Sequence, residues 1–317
     1  IKGGNIMAID NFGRNPEYVS YFSLEEYVDK IKLNSNLLYH LEDTNKEFDR
    51  YMKKLATYDT DYIIKYWIYN LYEELKYSQN IEHSNFNAKA LTERNIFFET
   101  FNISHKQIHN IHNFVMEGEL EPSFNYRDTD ITVGNNYPDG TKEIFYRGAN
   151  KEDVNKFMND FINIYKQNRT SLLFSNPFLV SSLIHLLFIR IHPYKDGNGR
   201  TVRVLHNIKF TEAINKLYGM KLKLSPLNLS ESILINKASY TKRVDNIYFD
   251  LTHDTNDNIN RWFNFILDMA DEQIYKSMNL LNTAPEKFIS KVESVSTPEN
   301  NKTYGLVKTM NNLKKYK

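Results

Sequence analysis

The chain has 317 residues, 41% of them hydrophobic, and its charges nearly cancel at +1. That balance argues against a dedicated nucleic-acid binder, which carries a basic excess. The absence of cysteine removes disulfides, thiolate metal sites and thiol nucleophiles, and fits a reduced cytoplasm. Eleven glycines and eight prolines are few for this length and favour helices over a many-stranded sheet.

The chain opens on Ile1 and reaches Met7 through a glycine-containing lead, which is given no weight in the fold. Residues 16–34 and 35–57 read as polar amphipathic helices. Residues 61–78 repeat large apolar groups every three or four positions and predict a packed helix. After a polar break, residues 103–118 predict another helix with Gly118 as its terminator. His105, His109 and His112 fall at i, i+4 and i+7 on it, a spacing compatible with a metal, although a packing role is favoured. Residues 123–148 hold most of the local turn formers. Ile131, Thr132 and Val133 form one β-branched run, IFY a second, and NNYPDG a turn between them, so one hairpin is expected. Helix resumes with Asn150 as its cap.

The most apolar stretch, residues 171–189, is broken by Asn176-Pro177 and contains His185. It reads as a buried helix of a soluble protein starting at Pro177 and ending near Ile191, before Pro193. A further helix from about Asn198 turns Val202, Leu205, Ile208, Ala213, Ile214 and Leu217 inward and stops at Gly219. Residues 259–278 predict another helix. The last seventeen residues carry five lysines and no acid, and read as a solvated tail. The fold class is therefore all-α with one short β-hairpin. The organisation is a helical N-terminal region over 1–100, a core with closing helices over 101–275, and a basic tail over 276–317.

The chemistry concentrates in HPYKDGNGRTVR, residues 192–203. A glycine-rich loop opening a helix presents free N–H groups and the positive end of the helix dipole, an anion site. Gly197 and Gly199 let backbone approach a ligand. Arg200 and Arg203 share the first turn and favour an oligophosphate. Asp196 suits a hard cation, Asn198 can donate its amide to a phosphate oxygen, and His192 can take a proton from a hydroxyl. A calcium loop aligned on Gly199 would put Tyr194 and Leu205 at ligand positions, which excludes it. No GxxxxGK[ST] string occurs.

This stretch resembles the signature H-x-F-x-[D/E]-G-N-G-R-x-x-R of the Fic family, with Tyr194 in place of Phe. More weakly, IHNIHNFVMEG resembles that family's leading helix, NYRDTDITVG the strand of its target-docking flap, and NKASYTKRV a late helix where Thr241 stands at a position often held by tyrosine. The resemblance implies a mainly helical fold and transfer of AMP from ATP to a hydroxyl of a target protein, with magnesium. It makes His192 the general base, Asp196 the metal ligand, Gly197, Asn198 and Gly199 an anion hole, and Arg200 and Arg203 anchors of the outer phosphates. The flap at Ile131, Thr132 and Val133 would dock the target, and Tyr240 is a candidate wall for the adenine. A related branch with Ala and Lys in place of the glycines phosphorylates instead.

Upstream, YSQNIEHSN resembles the family's inhibitory motif [S/T]-x-x-x-E-[G/N], with Ser78 and Glu82 in place and His83 departing from it. The resemblance implies that Glu82 pairs with Arg203 and blocks the terminal phosphate. Two alternatives stand: removal of AMP from a modified target, with Glu82 orienting a water, and a nucleotide-sensing regulator with an idle site. No membrane partner is expected, and a homo-oligomer is compatible with the sequence.

Overall fold

The structure is a computed structural model describing residues 18–58, 60–83, 103–219, 222, 224–253 and 255–283. In chain order the helices and strands are α1 (Leu24–Asp29), α2 (Ser35–Leu55), α3 (Thr60–Ile81), α4 (His105–Val115), β1 (Thr132–Asn136), β2 (Lys142–Arg147), α5 (Val154–Lys166), α6 (Leu172–Ser175), α7 (Pro177–Ile191), α8 (Asn198–Tyr218), α9 (Ser230–Ile235), α10 (Lys237–His253) and α11 (Asp257–Thr283). The mainly helical expectation with a single hairpin is what these residues form.

The centre of the molecule is α7, all fifteen of whose residues are buried. It starts where Asn176 Oδ1 accepts from the N–H groups of Phe178 and Leu179, with Pro177 at the first turn. A helix apolar on every side must be wrapped on every side. α8 packs along it, α5 and α11 cover other faces, and α2 lies along α11. Several polar groups of α7 are hydrogen-bonded, within the helix or to its neighbours. Ser181 Oγ donates to Pro177 O at 2.7 Å, and Trp262 Nε1 donates to Ser182 O at 3.0 Å. At about 1.5 Å per residue α7 is only about 22 Å long. Among the described residues no helix is long and apolar enough to cross a membrane.

One hydrophobic core runs from Val19 to Leu281, so the N-terminal helices share it with the rest of the chain. Four local expectations are corrected. Residues 18–20 are extended rather than helical: Val19 pairs in parallel with Ala149, its N–H donating to Gly148 O. Asn150 does not cap α5. Its N–H donates to Val19 O and its amide to Ser20 Oγ, while the N-cap position belongs to Asp153, which makes no side-chain cap bond and accepts from Tyr21 N. Leu217 is exposed. α11 continues to Thr283, so residues 276–283 are helix rather than tail. The lysine-rich end beyond residue 283 lies outside the described residues.

The hairpin pairs Thr132 with Arg147 and Val133 with Tyr146, then slips by one residue, so that Gly134 faces Ile144. Gly134 is required there, because a Cβ would lie 1.9 Å from Glu143 O. Ile131 sits just before β1, and its carbonyl accepts from Gly148 N.

Candidate active site

The site forms where α7 ends and α8 begins. His192 is the C-cap of α7 in a left-handed conformation, φ 55°. This turn stops the helix and swings the imidazole out of its axis. Its Nδ1 lies 3.3 Å from Ile189 O, which can only accept, so the proton sits on Nδ1 and Nε2 keeps its lone pair. Burial holds the imidazole well below its ordinary value, at about 4, with the Arg127 charge adding to the effect. His192 is therefore neutral at physiological pH.

The turn between the helices is fixed by Asn198. Its Oδ1 accepts from Tyr194 N at 2.9 Å and its Nδ2 donates to Tyr194 O at 2.8 Å. Both ends of the side chain thus brace the loop, and the bond to Tyr194 O uses one of the two amide hydrogens. What Asn198 offers to a ligand is its position at the helix N-terminus, where first-turn N–H groups have no intrahelical partner. Gly197 precedes it as N-cap with φ 77°.

Asp196 has a largely exposed carboxylate. One oxygen accepts from Gly197 N at 2.6 Å, and the other lies 4.0 Å from Arg200 Nη2. A single outward carboxylate beside an anion site suits magnesium, which keeps most of its waters and takes one or two protein oxygens together with phosphates.

Both signature arginines are buried, Arg200 at 2% and Arg203 at 3% exposure. Arg203 Nε donates to Ser78 Oγ at 2.7 Å, and its Nη2 donates to Ser78 O at 2.9 Å and to Glu82 Oε1 at 2.8 Å. Arg200 Nη1 meets Glu119 Oε1 at 2.8 Å and Gln79 Oε1 at 3.1 Å. The last turn of α3, with Ser78 and Gln79, and Glu82 just past its end thus face the arginines. One turn further back Glu74, fully buried, accepts from Ser230 N and Oγ; burial raises its carboxyl against these hydrogen bonds and the Arg203 charge. For Glu82 burial also opposes the charge, but Arg203, then Arg200 and Lys237, outweigh it and hold the carboxyl below its usual value. The Glu82 carboxylate lies where a side chain on Gly199 would begin, since a Cβ there would be 2.4 Å from Oε1.

His83 adopts φ 56° at the end of α3. Glycine and asparagine take this left-handed turn most readily. Histidine is among the other residues enriched there, so the departure from the motif preserves the geometry.

The remaining predicted residues divide. Thr132 and Val133 lie in β1 as expected. Tyr240 is a core residue, 9% exposed, with its hydroxyl 2.7 Å from His185 Nε2 and its ring tilted against Trp262, which corrects its reading as an adenine wall. The three histidines of α4 each have a packing partner. His112 stacks on Tyr194 at 3.8 Å and donates through Nε2 to Asp196 O. His109 shares a hydrogen bond with the Tyr194 hydroxyl at 2.8 Å, and His105 one with Tyr126. The hydroxyl that Tyr194 adds to the signature therefore has a fixed partner.

Sequence reading missed Arg127. It is 5% exposed and its donors go to backbone: Nε to His192 O at 2.6 Å, Nη1 to Thr129 O at 2.7 Å, and Nη2 to Ala149 O at 2.5 Å and Ile191 O at 3.3 Å. It ties the end of α7 to the base of the hairpin.

Residues 102–208 match the family model of the Fic/DOC family. The fold is similar to that of a Fic family protein from Desulfovibrio desulfuricans, with a TM-score of 0.57 and 13% identity over 79% of this chain and 76% of that one. It is also similar to a Fic domain containing signaling protein from Bacteroides thetaiotaomicron, with a TM-score of 0.50 and 15% identity over 76% of this chain and 97% of that one. At these identities the likeness is one of fold.

Proposed function

We propose that this protein transfers AMP from ATP to a hydroxyl side chain of a target protein, and that Glu82 holds the described form in check. The observation that carries the reading is the assembled signature loop. A neutral His192 with a free Nε2 stands beside a helix N-terminus, an outward carboxylate and two buried arginines. The match of residues 102–208 to the Fic/DOC family supports the class, since Fic domains generally transfer nucleoside monophosphates to proteins.

In this reading the target hydroxyl gives its proton to His192 Nε2 as its oxygen bonds to the α-phosphorus. The bond from that phosphorus to the β-phosphate bridge breaks, and pyrophosphate leaves with its charge on Arg200, Arg203 and the N–H groups of the first turn of α8. Asp196 would hold a magnesium ion, which would neutralise phosphate charge. The hairpin presents the target as an added strand: backbone bonds to β1 place a side chain without demanding much sequence. Glu82 opposes all this by occupying Arg203 and by putting negative charge beside Gly199, where phosphate must lie.

The opposite reaction, removal of AMP from a modified target, has one observation in its favour. The Glu82 side chain is 34% exposed, enough to orient a water. The test is ATP labelled on its α-phosphate, with magnesium, given to the intact protein, Glu82→Gly, and Glu82→Gly with His192→Ala. Label on protein only in Glu82→Gly is the expected result. No label in any of them, with ATP still bound, overturns transfer and makes a pre-modified target the next substrate.

A further inference from the structure

The Glu82 carboxylate is surrounded by more positive charge than the signature supplies. Arg203 touches it at 2.8 Å, and Arg200 and Lys237 are the next charges acting on it. Lys237 is the first residue of α10, thirty-odd residues beyond the signature loop. Its ammonium donates to the carbonyl of Ile81 at 2.6 Å, the residue immediately before Glu82. Among the described residues that neutral oxygen is its one hydrogen-bond partner, and it forms no ion pair. Arg200, by contrast, is already matched by Glu119.

A lysine ammonium is a compact charge with three donors on a flexible stem, suited to a phosphate oxygen. Here it sits at the edge of an anion site whose present anion is the Glu82 carboxylate. We infer that Lys237 is a third cationic ligand of the phosphate site: once Glu82 withdraws, its ammonium turns from Ile81 O to the terminal phosphate of the nucleotide, beside Arg203. While Glu82 is in place, the same ammonium caps the last turn of α3, where free carbonyls favour a cation. This inference rests on the nucleotide-transfer reading above. It makes Lys237, beside Arg203, a residue that distinguishes a triphosphate from a diphosphate.

The experiment is calorimetric titration of ATP and of ADP, each with magnesium, into Glu82→Gly, Glu82→Gly with Lys237→Gln, and Glu82→Gly with Lys237→Arg. Removing a charge-assisted bond to the terminal phosphate weakens ATP by roughly ten-fold or more. ADP affinity stays within about two-fold, because that ligand lacks the group contacted, and Lys237→Arg recovers most of the ATP affinity. Equal loss for ATP and ADP overturns the inference in favour of a purely structural cap. So does an ATP affinity unchanged by Lys237→Gln. If Glu82→Gly binds neither nucleotide, the transfer reading itself fails and takes this one with it.

Discussion

Arg203 and Glu82 meet at 2.8 Å, and the carboxylate of that pair lies in the space left open by the missing side chain of Gly199. The contact is more than a surface ion pair, because Arg203 is buried and Ser78 fixes it through two further bonds. Charge-assisted bonds to a desolvated guanidinium are worth about 1.5–3 kcal/mol. Glu82→Gly should therefore raise self-labelling from α-labelled ATP by roughly ten- to a hundred-fold. Unchanged labelling in a protein that binds ATP would sink the inhibitory role.

His83 offers a gentler handle on the same latch. A β-branched residue at φ 56° is strained by roughly 1–2 kcal/mol, whereas glycine is not. His83→Val should loosen the end of α3 and raise basal labelling by several-fold, while His83→Gly leaves it near the original level. Equal labelling in the two variants would show that the turn does not position Glu82.

Tyr194→Phe restores the aromatic residue of the family signature. It removes the partner of His109 Nδ1 and should lower stability by about 1 kcal/mol with activity retained in the Glu82→Gly background. Urea denaturation measures the first and labelling the second. A large loss of activity would give the hydroxyl a role in the chemistry.

Arg127→Met keeps an apolar stem but leaves the carbonyls of His192, Thr129 and Ala149 without their donor. Buried acceptors of this kind cost about 1–3 kcal/mol each, so a loss of about 3 kcal/mol is expected, with a lower turnover as His192 loses its anchor. A variant as stable as the parent would contradict the clamp.

Acid should act on both stability and rate. Burial depresses His185, His192, His206 and His109, the last three to about 4. Below an unfolded value of about 6.5 the unfolded chain binds protons that the folded chain refuses. The stability is complete above that pH and is lost as pH falls toward 4, so Tm should drop steadily across that window. The acid limb of kcat/KM for the Glu82→Gly protein should lie near pH 4, and no higher, because the Glu82 charge itself raises His192. A limb near 6.5 would mean that the base is exposed. The Glu82–Arg203 pair, with its carboxyl held low, should survive at pH 5.

The parts of this molecule that local chemistry dictates are legible in its sequence. Asn176-Pro177 starts α7, Gly219 ends α8, and the signature loop sits between them as expected. What escaped reading depends on partners far along the chain. Amphipathy placed residues 18–20 in a helix because periodicity cannot register a strand partner 130 positions away at Ala149. Asn150 looked like a cap until that same strand claimed its N–H. Arg127 has no detectable spacing signature, because a guanidinium that serves backbone carbonyls can be served by any residues. The bracing of the loop by Asn198 went unread, since its bonds to the Tyr194 backbone depend on how the loop folds back on itself.

The overlap of the Glu82 carboxylate with the open side of Gly199 makes the genetics of release one-sided. A substitution at Gly199 or Arg203 that evicts Glu82 also spoils the cradle that a phosphate needs. Spontaneous hyperactive variants recovered in a selection should therefore map to α3 and the groups that pin it, chiefly Ser78, Glu82 and His83. The signature loop should contribute only loss-of-function alleles.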